Sequence, residues 1–189
     1  MPFLQIDMKE IRLHGRGGQG VVTAAQLLAY AAFADGRYSQ AFPTFGSERM
    51  GAPVAAFVRI DKEKIRLRSQ IYEPDIVIVQ DPTLIGTINT WSGLKARGLI
   101  IINTKKTAEE LGIDKKFLVR AVPATSSALE ILKRPIPNTV MLGAFAGITG
   151  EISMEAVKKA IENRFEERIA KLNITAAEKA YQMVRDEGH

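Results

Sequence analysis

Residues 9–20, KEIRLHGRGGQG, set a short strand pattern directly ahead of four glycines in six residues, and the Ala-rich, apolar segment 20–35, GVVTAAQLLAYAAFAD, follows at once. A strand, a glycine turn and a helix in immediate succession leave the helix one economical course, which is back along the strand it has just left. Residues 20–35 are apolar on most faces, so that helix must be buried on more than one side, and Gly36 stands where a C-terminal glycine ends a helix.

The rest of the chain continues the alternation. Residues 37–42 read as a second strand. Residues 54–60 and 64–68 flank Asp61-Lys62-Glu63 and read as an antiparallel hairpin. Residues 75–80, DIVIVQ, and 99–102 are near-continuous β-branched runs, the pattern of central strands covered on both faces, and residues 118–122 are a shorter candidate. Helices are expected over 124–132, over 138–147 (NTVMLGAFAG), after Ser153 as N-cap, and over 173–187 with Ala180 and Val184 inward. With no repeat, linker or low-complexity stretch, the expectation is one domain over residues 1–189. It is an α/β three-layer sandwich around a mostly parallel central sheet, with one antiparallel hairpin. Strands 9–14, 75–80 and 99–102 should be neighbours, with their glycine and polar ends along one edge.

Composition removes several kinds of chemistry. The 189 residues include no cysteine and only two histidines, His14 and His189, at opposite ends. A disulfide, a thiolate nucleophile, a Cys-ligated iron–sulfur cluster and a His-rich metal site are all excluded. The net charge of +5 is dispersed among acids. It suits an anionic ligand or acidic partner without calling for nucleic acid. Neither a secretory signal nor a membrane-spanning run is legible, so a cytoplasmic protein is expected.

GRGGQG satisfies the dinucleotide fingerprint in the right context. Gly15 can take the tight turn, Gly17 and Gly18 can let a phosphate approach the backbone, and Gly20 can let helix and strand pack closely. Arg16 can add charge-assisted donors and Gln19 an amide donor to N–H groups at the helix start. Walker A is excluded because no GK[ST] follows. An acidic ribose ligand is expected about 20 residues on, yet Asp35 falls at a helix end, and Phe42 and Pro43 occupy the strand end. Conventional NAD(P) binding is therefore disfavoured, and a purely structural glycine turn stays open. Residues 42–49, FPTFGSER, bring a second constellation in which Thr44, Ser47 and Arg49 offer donors to a phosphate or carboxylate and can face Arg16. In the plainer reading Phe42 and Phe45 are packing anchors and Glu48–Arg49 is a solvated turn.

Taken in order, HGRGGQGVVTAAQLLA, AFPTFGSERMGAPV, PDIVIVQDPTL and NTVMLGAFAG with IENRF resemble the gamma subunit of 2-oxoacid:ferredoxin oxidoreductases, most closely the pyruvate and branched-chain members. The similarity runs from about Glu10 to Tyr181. The resemblance implies a subunit of an enzyme that oxidatively decarboxylates a 2-oxoacid, passes the acyl group to coenzyme A and reduces ferredoxin. Thiamine diphosphate and the iron–sulfur clusters are implied on alpha-, beta- and delta-type partner subunits. Coenzyme A is implied as co-substrate at a shared interface, near Gly15, Arg16, Gly17, Gly18, Gln19, Gly20, Thr44, Ser47 and Arg49. This chain alone would be inactive, contact ferredoxin only indirectly, and hold no catalytic residue or metal. Met50 stands where many members carry a second arginine, which removes one cation from that surface. A homodimer through exposed apolar surface, and a free-standing nucleotide- or coenzyme-binding paralogue, remain the alternatives. For Asp81, Asn103 and Asn138 a structural, capping role is the favoured reading, Pro123-Ala124-Thr125 reads as the start of a helix, and Gly143 and Gly147 read as close helix contacts.

Overall fold

The computed structural model describes residues 8–44 and 50–187. Six strands form one sheet in the order β2-β3-β1-β4-β5-β6. They are β1 (Lys9–Arg16), β2 (Tyr38–Pro43), β3 (Pro53–Asp61), β4 (Ile76–Val79), β5 (Leu99–Asn103) and β6 (Leu118–Val122). β1, β4, β5 and β6 run parallel in neighbouring pairs, while β3 is antiparallel to both β1 and β2. Five helices follow the expected order: α1 (Val21–Ala34), α2 (Ala124–Leu132), α3 (Asn138–Thr149), α4 (Met154–Arg164) and α5 (Glu167–Asp186).

Strand alternation divides the sheet into two chemically different faces. Ile11, Leu13, Val58, Ile60, Ile76, Ile78 and Ile101 meet the apolar faces of all five helices in one core. Val77, Val79, Ile100 and Ile102 point the other way, into a smaller cluster with Leu94 and Ile113. That second outer layer is built from turns and the short 3-10 segment Pro82–Leu84 rather than from α-helices. On the antiparallel half of the same face, arginines clip the irregular cover to the sheet. Arg12 Nη2 donates to the Thr90 and Ser92 carbonyls at 3.2 and 2.5 Å. Arg59, 1% exposed, donates to Glu10 Oε1 and the Ser69 carbonyl, each at 2.8 Å.

The expected hairpin between 54–60 and 64–68 does not form; the antiparallel partner of β3 is β2. β1 and β2 occupy both edges of β3, so residues 64–68 find no backbone ladder to join. They cross as an irregular segment carrying Lys64, Arg66 and Arg68 outward. α5 begins at Glu167, six residues before the expected Asn173. Asn138 is the first residue of α3 rather than its cap, and its side chain accepts from the adjacent Thr139 N–H at 2.8 Å. Other local signals are met. The Arg37 N–H reaches the Ala32 carbonyl and the Gly36 N–H the Phe33 carbonyl, which is a Schellman ending for α1. Ser153 Oγ accepts from the Ala156 N–H at 3.0 Å. Gly143 lets α3 lie against α5 so closely that a Cβ there would sit 2.0 Å from the Ala177 carbonyl oxygen.

Candidate functional site

The carboxyl ends of β1, β4 and β5 lie together on one edge of the sheet. From β1 the chain leaves toward β2 and β3; from β4 it leaves toward β5 and β6. The gap between β1 and β4 is therefore the point where the strand order reverses, the usual ligand position in open α/β sheets. A crevice of about 430 Å³ opens there, lined by Gly17, Gly18, Gln19, Met50, Asp81 and Asn103 among others. The expected gathering of glycine and polar strand ends is thus present.

The glycine loop is held rigidly from behind. Gly20 has φ 72°, and a Cβ on it would lie 2.6 Å from Asn138 Nδ2; Gly18 has φ 91°, with Met50 Cε 2.7 Å from the same construction. The left-handed backbone disfavours side chains at both positions, and at Gly20 the buried Asn138 adds a steric bar. Gln19 is locked in one orientation: its Oε1 accepts from the Arg16 N–H at 2.8 Å, and its Nε2 donates to Asp81 Oδ2 at 2.6 Å. Asp81 Oδ1 accepts from the Thr83 N–H at 2.9 Å and the Thr83 hydroxyl at 2.6 Å. Burial opposes ionisation of Asp81, but the Thr83 hydroxyl and N–H, the Gln19 amide and the Arg16 charge outweigh it and hold the carboxyl below its usual range. Arg16 donates through Nε and Nη2 to Thr83 Oγ1, through Nη1 to the Gly51 carbonyl, and pairs with Asp81 at 3.3 Å.

The two side chains expected to face a phosphate are thus both engaged in fixing the loop. What the loop turns outward is backbone, and no side chain caps the start of α1, so its first-turn N–H groups are donors without an intrahelical partner. Thr44 is likewise engaged, its hydroxyl donating to the Ala55 carbonyl at 3.0 Å. Ser47 and Arg49, with Phe45 beside them, lie outside the described residues. The far end of their segment does join the loop, because the Gly17 N–H donates to the Ala52 carbonyl and the Gly51 N–H to the Gly17 carbonyl. Phe42 stacks on Phe57 at 5.3 Å as a packing anchor.

The expected capping role of Asp81 is seen at Thr83, but Asp81 is also the hub joining Gln19 and Arg16. Asn103 Oδ1 accepts from the Thr125 N–H at the start of α2. Asp35 accepts from the Ser153 N–H and hydroxyl. β3 separates β1 from β2, so the end of the second strand is not next to the loop, as a dinucleotide fold requires. His14 packs on the face opposite the helices. Burial, reinforced by the Arg12 charge and only partly opposed by the Thr90 backbone, pushes its pKa down to about 4. Among the described residues no cluster of His, Asp or Glu is placed to hold a metal, and no helix is long and apolar enough to cross a membrane. A second groove also reaches Gly18 and is lined by Arg134, Arg164 and Arg168, of which only Arg164 falls in a segment, IENRF, that the sequence singled out.

The family model described as "Pyruvate ferredoxin/flavodoxin oxidoreductase" matches residues 10–183. The chain belongs to this family. Pyruvate synthase subunit PorC of Methanocaldococcus jannaschii is 57% identical over 174 residues, covering 92% of this chain and 96% of that one. The pyruvate/ketoisovalerate oxidoreductases common subunit gamma of Thermococcus litoralis is 53% identical over 178 residues, covering 93% and 96%. The crystal structure of pyruvate oxidoreductase subunit PORC from Thermotoga maritima superposes with a TM-score of 0.81 at 40% identity, over 93% of this chain and 96% of that one. The fold is also shared, at 21% identity and a TM-score of 0.76, with 31% of a longer chain in the 2-oxoglutarate:ferredoxin oxidoreductase of Magnetococcus marinus, a structure with 2-oxoglutarate, coenzyme A and succinyl-CoA bound. The chain thus spans nearly the whole length of relatives that are single subunits, and the same fold recurs within part of a longer chain.

Proposed function

We propose that the chain is the gamma subunit of a pyruvate, or related 2-oxoacid, ferredoxin oxidoreductase. In this reading it supports CoA-dependent oxidative decarboxylation carried out with alpha-, beta- and delta-type subunits in the cytoplasm. The observation that carries it is the family match over residues 10–183 together with near-complete coverage of relatives that are themselves named as subunits. The iron–sulfur clusters belong on the partners, since a chain without cysteine supplies no thiolate ligands, and the family resemblance assigns thiamine diphosphate to the partners as well. A relative named as common to pyruvate and ketoisovalerate enzymes supports the view that this subunit does not choose the 2-oxoacid.

The crevice at the β1–β4 switch point receives the phosphate-bearing part of coenzyme A. Gly18, Gly20 and the start of α1 supply the N–H donors, since the Arg16, Gly17 and Gln19 N–H groups are spent on Gln19 Oε1, the Ala52 carbonyl and the Arg16 carbonyl, and the Arg16 and Gln19 side chains hold that backbone in place. The coenzyme A reading also assigns Thr44, Ser47 and Arg49 to this ligand. The chain supplies no covalent catalyst and acts by binding and positioning.

Reconstitution tests this. The pure chain with pyruvate, coenzyme A, thiamine diphosphate and a viologen acceptor is expected to show no turnover, and addition of the other subunits to restore it. Turnover by the chain alone, or full activity of the complex without it, would overturn the reading. In the complex, coenzyme A is expected to slow amide exchange over residues 15–24.

A further inference from the structure

We propose that residues 64–68 are a docking strand for an acidic extended segment of a partner subunit, which pairs with their main chain and meets the cations Lys64, Arg66 and Arg68 with its carboxylates. The proposal rests on the reading of the chain as a subunit and adds the surface and the chemistry of one contact. Residues 64–68, KIRLR, alternate cation and aliphatic as a strand does, yet they belong to none of the six strands. A strand pattern without a ladder is a pairing surface whose partner lies outside the described chain.

The segment is tied down from beneath. Buried Arg59 donates through Nη2 to the Ser69 carbonyl at 2.8 Å, and Gln40 Nε2 reaches the Ile65 carbonyl at 3.5 Å. These anchors come from β3 and β2, so the segment crosses the sheet face opposite the helices, at the margin that the edge strand β2 forms. Ile65 is half-buried, and every other residue from 62 to 69 is exposed. None has a left-handed φ, so the backbone is compatible with pairing. Both ties use carbonyls. Among the described residues, the N–H groups of residues 64–70 donate to nothing in the chain. A row of unspent main-chain donors is the feature that accepts an added strand.

Charge selects the occupant. Residues 62–68 hold four cations, Lys62, Lys64, Arg66 and Arg68, against the single acid Glu63. The side chains of Lys64, Arg66 and Arg68 make no ion pair or hydrogen bond among the described residues. Spaced by two, they share one side of a strand and call for carboxylates at the same spacing on the partner. A second copy of this chain does not supply them. An antiparallel pair centred on Arg66 sets Lys64 against Arg68 and Arg66 against itself, and like charges directly opposite are destabilising. Leu67, 48% exposed, adds apolar surface between the cations.

The test compares amide exchange in the pure chain and in the reconstituted complex, with assembly followed by light scattering. Exchange at residues 64–70 is expected to slow by roughly tenfold or more on assembly. In the triple variant Lys64→Glu, Arg66→Glu, Arg68→Glu the association rate with the partner subunits at low salt should fall by roughly tenfold or more, and high salt should narrow the difference. The three side chains are exposed, so the variant should keep the wild-type Tm; the corresponding triple change to Gln should move the rate in the same direction by less. An active complex in which residues 64–70 exchange as fast as in the pure chain overturns the docking strand and leaves the subunit reading standing. Protection with an association rate indifferent to charge reversal overturns the acidic partner. Protection in the pure chain that rises with its concentration, together with a dimer by light scattering, assigns the strand to a second copy and overturns the proposal. Failure of the wild-type chain to join the partner subunits at all overturns the subunit reading and this proposal with it.

Discussion

Replacing Asp81 by Asn probes the glycine loop sharply, because no rotamer of the new amide satisfies its neighbours. With the amide nitrogen in the Oδ2 position it confronts Gln19 Nε2, donor against donor. Rotating Gln19 only moves the conflict, since its nitrogen then faces the Arg16 N–H that its oxygen now accepts from. With the amide nitrogen in the Oδ1 position it confronts the Thr83 N–H. One charge-assisted hydrogen bond is lost either way, at about 1.5–3 kcal/mol. The Arg16–Asp81 pair adds little to that, because the Arg16 side chain is 30% exposed and screened. The expected loss is about 2–3 kcal/mol, or roughly 4–10 °C in Tm for a chain of this length.

Urea denaturation of wild type, Asp81→Asn, Gln19→Ala and the double variant measures it. A coupling of at least about 1 kcal/mol between the two sites is expected, as for residues in one hydrogen-bonded network. The sign of the pH dependence is fixed by the depressed carboxyl. The folded pKa lies below the usual value of 3.8, so the Asp81 contribution is present above that value and is lost as pH falls through the folded pKa. Wild type and variant should therefore differ fully at pH 7 and converge in strong acid. An unchanged urea midpoint at pH 7, with zero coupling to Gln19, would refute the assignment of Asp81 as the hub of the loop.

His14 is a base whose folded pKa is depressed from 6.5 to about 4, so the unfolded chain binds more protons between these values. Stability should fall by about 3 kcal/mol as pH drops through that window, and urea midpoints of His14→Gln should lack the slope. Gly143→Ala gains up to about 1 kcal/mol of helix propensity. It also drives a Cβ to 2.0 Å from the Ala177 carbonyl oxygen, so a net loss of about 1–3 kcal/mol is expected by thermal melting. Ser153→Ala removes the cap on Ala156 and the hydroxyl bond to Asp35. A loss of about 1 kcal/mol is expected, and a Tm equal to wild type would show the cap to be idle.

Features written in adjacent residues were the legible ones. The alternation around Gly15–Gly20, the β-branched runs of β4 and β5, and the Gly36 and Ser153 signals are each decided within about one helical turn, and each appears where expected. The hairpin at 54–68 failed because pairing depends on which edge of β3 is free, and residues 38–43, distant in sequence, decide that. Arg16 and Gln19 show the same limit at the site. Their residue types suit a phosphate, but the direction of each side chain is set by Asp81 and Thr83, more than 60 residues away. Arg134 and Arg168 carry no local signal, and Arg164, though inside IENRF, carries none of its direction, because the groove they line depends on how the α4–α5 corner returns to the start of α1.

That division also explains why the loop needs glycine, beyond what a tight turn requires. At Gly20 a side chain would strike the buried Asn138, and at Gly18 the left-handed φ of 91° disfavours one, while Gly18 lines both the crevice and the second groove. A side chain at Gly18 would wall the two spaces off from one another. A bare backbone, held from behind by Gln19, Asp81 and Arg16, keeps them continuous while its N–H groups stay fixed in direction. The buried network therefore acts on a ligand it does not touch: it sets in advance the orientation of donors that would otherwise have to be ordered during binding. On that argument, Asp81→Asn in the assembled enzyme should raise the coenzyme A requirement even though the carboxylate makes no contact with coenzyme A. A coenzyme A requirement unchanged in an intact Asp81→Asn complex would refute that argument.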